Sequence, residues 1–461
     1  MITRWVMLFC VLGVSTITTL AQEVFWQGLS QESILKSAQV GYKIVDVSDQ
    51  RVISQFQSTK SFTPASNLKL ITTGLALDAL TPNYCFTTKL MTTGRIQNTV
   101  LTGDLYVIGG YDPTTTIDNI IKSWTDSLVK LGVTKIQGDL YVPSVLYSNP
   151  YPMDYAWGDM GNYYGAGLYP LNLDDNKISY SLRPGKNIGE PVQLISSSFS
   201  DSTFTILNFS KTAAAGTGDK IVIYNSPFSH MIFIEGTIPI GADFTVKGSN
   251  PDPAYFFAKE MKACAQSRNI EWVGNVQRFT QETQPATLQL LASWKSNIIR
   301  EIASVTNSLS NNLYAEALKK AVLMKYNSVD VQAIYNPLLN KMGVDTVGLR
   351  VRDGSGMSPL NAISPSQMTS FLLHMRLNNS FRKSIPVAGV QGTVSVILQS
   401  YPNRARIKSG TMTGVTCYSG YVTSLAGKEY AFSVMVNHHE GKNKTVQKLL
   451  EKYLIELIQY K

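Results

Sequence analysis

Ser66 and Lys69 stand three positions apart in FTPASNLKL (62–70), at the head of an apolar-periodic run. Residues i and i+3 of a helix share a face, one turn apart, so this hydroxyl and this amine can touch. Pro64 favours an extended Thr63 before the helix, and a helix N-terminus stabilises negative charge developing near the serine. A lysine within hydrogen-bonding distance takes a seryl proton only when neutral, which demands burial or a second cation nearby. Taken alone, S-x-x-K is a common tetrapeptide, and a capping serine followed by a solvated lysine is its plainer meaning.

Two further segments change that balance. SLSNNL (308–313) contains Ser310-Asn311-Asn312 in a helix-like stretch, where Ser310 and Asn312 can reach a common cleft. RIKSGTMTG (406–414) carries Lys408-Ser409-Gly410 at the start of an expected strand. In the order S-x-x-K, S-x-N, K-[ST]-G, the three form the signature of serine acyl-transferases that act on β-lactams and D-alanyl peptides. Acyl transfer assigns the roles. Ser66 attacks the carbonyl, Lys69 accepts its proton, and Ser310 relays that proton to the leaving amine. Asn312 holds the substrate backbone and orients Lys69. Lys408 supplies a positive field that keeps Lys69 from carrying charge, and Ser409 binds a terminal carboxylate. Gly410, Thr411 and Thr413 complete the strand along which the substrate lies. The oxyanion requires two backbone N–H groups, expected from Ser66 and Met412.

The chain resembles the low-molecular-mass class C penicillin-binding proteins, the D-alanyl-D-alanine carboxypeptidase/endopeptidase family. Beyond the triplet, GGYDPT (109–114), WGDMGNYYGAG (157–167), DGSGMSPLN (353–361) and KSGTMTGV (408–415) resemble that family's stretches in order, over most of the chain. The resemblance implies a penicillin-binding/serine β-lactamase-like α+β fold, an antiparallel sheet flanked by helices, with two inserted, nested β-rich domains. It assigns 22–84 and 285–461 to the catalytic domain, 85–170 and 245–284 to the first insert and 171–244 to the nested one. It also implies that peptidoglycan stem peptides are the substrates, that β-lactams are covalent inhibitors, and that Asp159 and Tyr164 bind the stem side chain. Two positions depart from the family pattern. Ser409 stands where the family usually has threonine, and Pro359 stands where many relatives have an arginine that binds the stem-residue carboxylate. A proline cannot replace a guanidinium.

Elements that position these residues are legible on both flanks. VGYKIVDVSDQRVISQFQ (40–57) reads as strand, turn, strand, and CYSGYVTSLAGKEYAFSVMVNH (417–438) alternates around a turn at 426–428. Apolar residues Val446, Leu449, Leu450, Tyr453, Leu454, Leu457 and Ile458 recur at helical spacing, as in a helix packed on a sheet. Between the flanks, 85–284 is strand-rich. TGDLYVIGGYDP (102–113) and QGDLYVPSVLY (137–147) share Gly-Asp-Leu-Tyr-Val, as two similar strands of one sheet would. Roughly 240 residues separate Ser66 from Ser310, far more than a compact serine β-lactamase needs, and the excess is this insertion.

The chain opens MITRWVMLFCVLGVSTITTLAQE, with the basic, apolar and small-residue regions of a secretory signal cleaved after Ala21. The remaining part, roughly 440 residues, exceeds one hydrophobic core and contains no segment apolar and long enough to span a bilayer. An exported, periplasmic protein with no stable membrane span is expected. Cys85, Cys264 and Cys417 are too few for a disulfide framework, though one bridge is possible. Four histidines and scattered cysteines show no metal-ligand spacing, so neither metal nor cofactor is implied. The formal charge of +9 is spread along the chain, which reads first as a solvated surface and second as a mild attraction to polyanionic wall or membrane surfaces, and no nucleic-acid partner is expected. Two other functions fit the same fold: a β-lactamase, for which no deacylating base is evident, and a non-catalytic wall-binding or sensor protein.

Overall fold

The computed structural model describes residues 26–144, 149–199, 202–227 and 229–460. The expected signal, 1–21, lies outside the described residues. By its internal contacts the chain divides into two units. One comprises the residues up to Pro82, Arg300–Asn311 and Val322–Lys461; the other comprises Asn83–Ile299 and Asn312–Ala321.

In the first unit, β-branched and aromatic runs pair into strands β1 (Gln39–Asp46) and β2 (Val52–Phe56), joined by a polar turn. Strands β3 (Ala405–Met412), β4 (Val415–Thr423) and β5 (Glu429–Asn437) come from the far end of the chain. They form one antiparallel sheet in the order β2-β1-β5-β4-β3, so the two flanks meet at the β1–β5 pair. Burial corrects the expectation for 417–438. Eight of the nine residues of β4, and eight of nine in β5, are buried, because the centre of the sheet is covered on both faces.

Helix α1 (Leu68–Leu80) follows the Ser66 turn, and of its residues only Asp78 is exposed. A helix buried on nearly every side belongs in an interior, which here embeds the segment behind Ser66 in the core. Helix α2 (Ile299–Ser308) runs to just before Ser310, and α3 (Asn312–Lys325) begins just after it. Helix α4 (Pro365–Met375) starts at a capping box made by Ser364 and Gln367, with Pro365 at its first position. The closing helix α5 (Asn443–Gln459) buries Val446, Leu450, Tyr453, Leu454, Leu457 and Ile458, as its periodicity predicts. It shares a core with Trp26, Tyr42 and Phe432, and Trp26 Nε1 donates to the Tyr453 carbonyl at 2.9 Å.

The second unit is strand-rich, as expected, with several sheets. Its five-stranded sheet runs in the order Val276–Phe279, Leu140–Pro143, Leu105–Ile108, Thr87–Thr92, Gln289–Lys295. The two Gly-Asp-Leu-Tyr-Val copies are neighbours there, paired in parallel with Tyr106 and Tyr141 stacked at 4.5 Å. Two segment boundaries differ from the expected ones. Gln289–Lys295 pairs with Thr87–Thr92 and so belongs to this unit. Phe244–Ser249 pairs along its whole length with Lys177–Arg183, so a boundary at 244/245 cuts through a strand.

Gly74 marks where α1 lies closest to its neighbours: a Cβ there would sit 2.4 Å from Phe371 Cζ and 3.3 Å from Phe381 Cε2. Gly74→Val should therefore overpack this contact and cost about 1–3 kcal/mol. Thermal unfolding checks this; an unchanged Tm would show that the aromatic pair yields freely.

Candidate active site

The Ser66 turn is built from a backbone strain and a buried anchor. Ala65 has φ 46°, a left-handed conformation rare for a residue with a side chain, and Ala65–Asn67 form a 3-10 turn that feeds α1. Ser66 remains partly exposed, whereas Asn67 is fully buried and donates from Nδ2 to Ser419 Oγ at 3.0 Å. Ser419 Oγ donates in turn to Ser433 Oγ at 2.9 Å, which ties the turn to β4 and β5. On β3, a Cβ at Gly410 would lie 2.5 Å from the Pro64 carbonyl oxygen and 3.1 Å from Ser66 N. Only glycine lets the edge strand come this close to the Ser66 amide.

Lys69 is fully buried, and its Nζ donates to Ser66 Oγ at 2.9 Å and to the Ser355 carbonyl at 2.5 Å. The helical spacing predicted this contact. Lys408 is also fully buried; its Nζ donates to Ser310 Oγ at 3.0 Å and to the Ser409 carbonyl at 2.9 Å. Burial, and then the charge of Lys69, hold the Lys408 amine well below the usual lysine range. Two ammonium charges buried in each other's field repel, which disfavours both amines being protonated at once. Ser310 is not in a helix, contrary to expectation. It has φ 58° in the short link between α2 and α3, and this kink aims its hydroxyl at Lys408.

A carbonyl supplied by DGSGMSPLN, that of Ser355, holds Lys69. Asp353 is buried and folds the loop around its carboxylate: Oδ1 accepts from Gly356 N at 2.8 Å and Asn361 Nδ2 at 2.8 Å, Oδ2 from Ser358 N at 2.7 Å. Thr72 of α1 donates to the Gly354 carbonyl at 2.7 Å, docking the loop beside Lys69. Gly356, at φ 84°, sits where a Cβ would lie 1.9 Å from the Ala65 carbonyl oxygen. The paired glycines of the motif were the available signal. Pro359 is exposed, and its carbonyl accepts from Thr63 Oγ1 at 3.2 Å.

Strand parity corrects one role. Ile407 N donates to the Pro386 carbonyl and the Ala405 carbonyl accepts from Ala388 N, so odd-numbered residues of β3 point their amides to the open edge. Pairing with β4 runs without a register break to Met412–Val415. Alternation then turns the Met412 N–H inward to β4 and the Thr411 N–H outward. Thr411, not Met412, is the second oxyanion donor this strand can offer. Ser409 is on the same edge and shares a 2.9 Å hydrogen bond with Thr393 Oγ1, a residue the sequence reading did not select. Thr413 lies in the exposed hairpin turn between β3 and β4.

Ser66, Lys69, Ser310, Lys408, Ser409, Gly410 and Thr411 thus converge in the first unit. Asn312, Asp159 and Tyr164 belong to the second, where hydrogen bonds link them. Asn312 Nδ2 donates to the Tyr164 carbonyl at 2.7 Å, and the Tyr164 hydroxyl donates to Asp159 Oδ1 at 3.0 Å. Desolvation, and then Asp159, raise the Tyr164 phenol above its usual range. Cys85, Cys264 and Cys417 are free thiols.

This geometry can be set beside known proteins. The chain is 26% identical over 431 residues to D-alanyl-D-alanine carboxypeptidase DacB of Haemophilus influenzae, covering 88% of this chain and 87% of that one. It is 26% identical over 447 residues to a D-alanyl-D-alanine carboxypeptidase of an Actinomadura species, covering 92% and 82%. Penicillin binding protein 4 from Haemophilus influenzae has a similar fold, with TM-score 0.81 at 24% identity, over 94% of this chain and 99% of that one. The family model of the D-Ala-D-Ala carboxypeptidase 3 (S13) family matches residues 26–457, and the chain belongs to that family of serine hydrolases.

Proposed function

We propose that this protein hydrolyses the terminal D-Ala-D-Ala bond of peptidoglycan stem peptides through an acyl-enzyme on Ser66. The observation that carries the reading is a partly exposed hydroxyl 2.9 Å from a fully buried amine, Ser66 to Lys69. Ser66 Oγ attacks the carbonyl carbon of the penultimate residue while its proton passes to neutral Lys69. The Ser66 and Thr411 amides hold the oxyanion, a donor set in which one member is worth about 10²–10³ in rate. Collapse breaks the peptide bond, and the departing D-alanine amine receives a proton through Ser310, which Lys408 orients. Water then attacks the ester, releasing the shortened peptide and restoring Ser66. The Ser409 and Thr411 hydroxyls receive the terminal carboxylate; the family resemblance assigns Asn312 to the substrate backbone and Asp159 and Tyr164 to the stem side chain. In a β-lactam the same attack opens the ring and leaves a slowly hydrolysed ester. The N-terminal leader pattern and a family of wall enzymes support action outside the cytoplasm, in the periplasm. Among the described residues no helix is long and apolar enough to cross a membrane.

Incubation with a penicillin followed by digestion and mass spectrometry should find a durable adduct on the peptide containing Ser66. Ser66→Ala should lose the adduct and at least about 10³-fold of carboxypeptidase activity. Rapid release of the adduct would identify a β-lactamase, absence of labelling a non-catalytic protein, and an adduct on Ser310 or Ser409 a different nucleophile.

Lys408 generates a separate expectation. Its folded-state pKa is depressed, so at alkaline pH the unfolded chain binds a proton that the folded chain has released. Stability arising from this group therefore increases as pH rises toward the unfolded value of about 10.4. Lys408→Met lacks that dependence. Its Tm relative to the native protein should be highest at low pH and decline across the alkaline range; a difference independent of pH would show that Lys408 is charged throughout.

A further inference from the structure

We propose that Thr393 is a positioning residue for recognition of the terminal carboxylate, acting by setting the rotamer of Ser409. This rests on the assignment of the Ser409 hydroxyl to that carboxylate. Serine has a single substituent on Cβ, so three staggered positions are open to its hydroxyl, whereas a β-branched residue is stiff at χ1. An edge-strand serine that is partly exposed needs another constraint to hold one of them. The Thr393 hydroxyl, 2.9 Å from Ser409 Oγ, supplies it.

The segment bearing Thr393 is fixed by its backbone. Gly392 has φ 56°, and a Cβ there would lie 2.0 Å from the Ser308 carbonyl oxygen, so the chain presses against the end of α2 just before Ser310. Val394 is fully buried and its carbonyl accepts from Gly389 N at 3.0 Å; Gln391 N donates to the Val387 carbonyl at 2.9 Å. Thr393 itself is exposed, so it adds little packing of its own. Its hydroxyl reaches Ser409 from a loop anchored on both sides. The hydrogen count also closes. A hydroxyl oxygen has one proton to give and lone pairs to receive, so Thr393 donates to Ser409 while Ser409 donates to the carboxylate. Each bond in such a chain polarises the next.

The test compares kcat/KM for two peptides, one ending in D-Ala-D-Ala with a free carboxylate and the other its C-terminal carboxamide. Ser409→Ala should collapse the preference for the carboxylate. Thr393→Val, nearly isosteric at an exposed site, should lower that preference about threefold to tenfold, through the carboxylate substrate alone and with Tm unchanged. Thr393→Ser should retain it, and adding Ser409→Thr to Thr393→Val should restore it, because the added methyl fixes the rotamer instead. If Ser409→Ala leaves the preference intact, the carboxylate assignment fails and this inference with it. If Ser409→Ala collapses the preference but Thr393→Val does not, the assignment stands and Thr393 is only a surface contact. Equal losses on both substrates with Thr393→Val, or no recovery with Ser409→Thr, overturn the positioning role.

Discussion

Two amines with no access to water, Lys69 and Lys408, govern how this site is built. Burying one ammonium costs several kcal/mol, and burying a second within its field costs more. Neutral acceptors are among the groups that meet them: the Ser66 hydroxyl and Ser355 carbonyl for Lys69, the Ser310 hydroxyl and Ser409 carbonyl for Lys408. Such partners orient an amine without fixing its charge. A carboxylate in the same places would lock each lysine in the protonated form, in which it cannot accept a proton.

The elements behind those amines are buried or paired. Lys69 projects from a helix buried on nearly every side, Lys408 from an edge strand backed by four others. Where backbone must touch backbone, glycine is present: Gly410 against the Ser66 turn, Gly356 against Ala65, Gly392 against the end of α2. Each close approach brings a polar main-chain or hydroxyl group to the front of the site. Such contacts place reacting groups without spending side chains on the task, and they tolerate little error. The strained φ at Ala65 and Ser310 falls at the two points where a hydroxyl must be presented, Ser66 next in chain and Ser310 itself.

Much of this was legible in the residues. The i, i+3 spacing placed Ser66 and Lys69 in contact, the terminal apolar period placed α5 on the sheet, and the two Gly-Asp-Leu-Tyr-Val segments were neighbouring strands. Helical geometry and strand pairing are local, and the amino-acid pattern carries them directly. The family, too, was in the motifs, because acyl transfer needs those side-chain types and a shared fold presents them in a shared order.

What the tertiary structure alone decided was direction. Strand alternation cannot be phased from the sequence without one known hydrogen bond; Pro386 and Ala388 supply it, and the amide turned to the open edge is that of Thr411 and not of Met412. The central strands β4 and β5 lost their expected polar face because helices cover both sides. The Ser355 carbonyl and the Thr393 hydroxyl were invisible for a different reason. Every residue has a carbonyl and many have a hydroxyl, so their function arises only from what chain folding sets within 3 Å of them. Residue types specified which chemistry was possible; long-range packing chose the backbone groups that serve it.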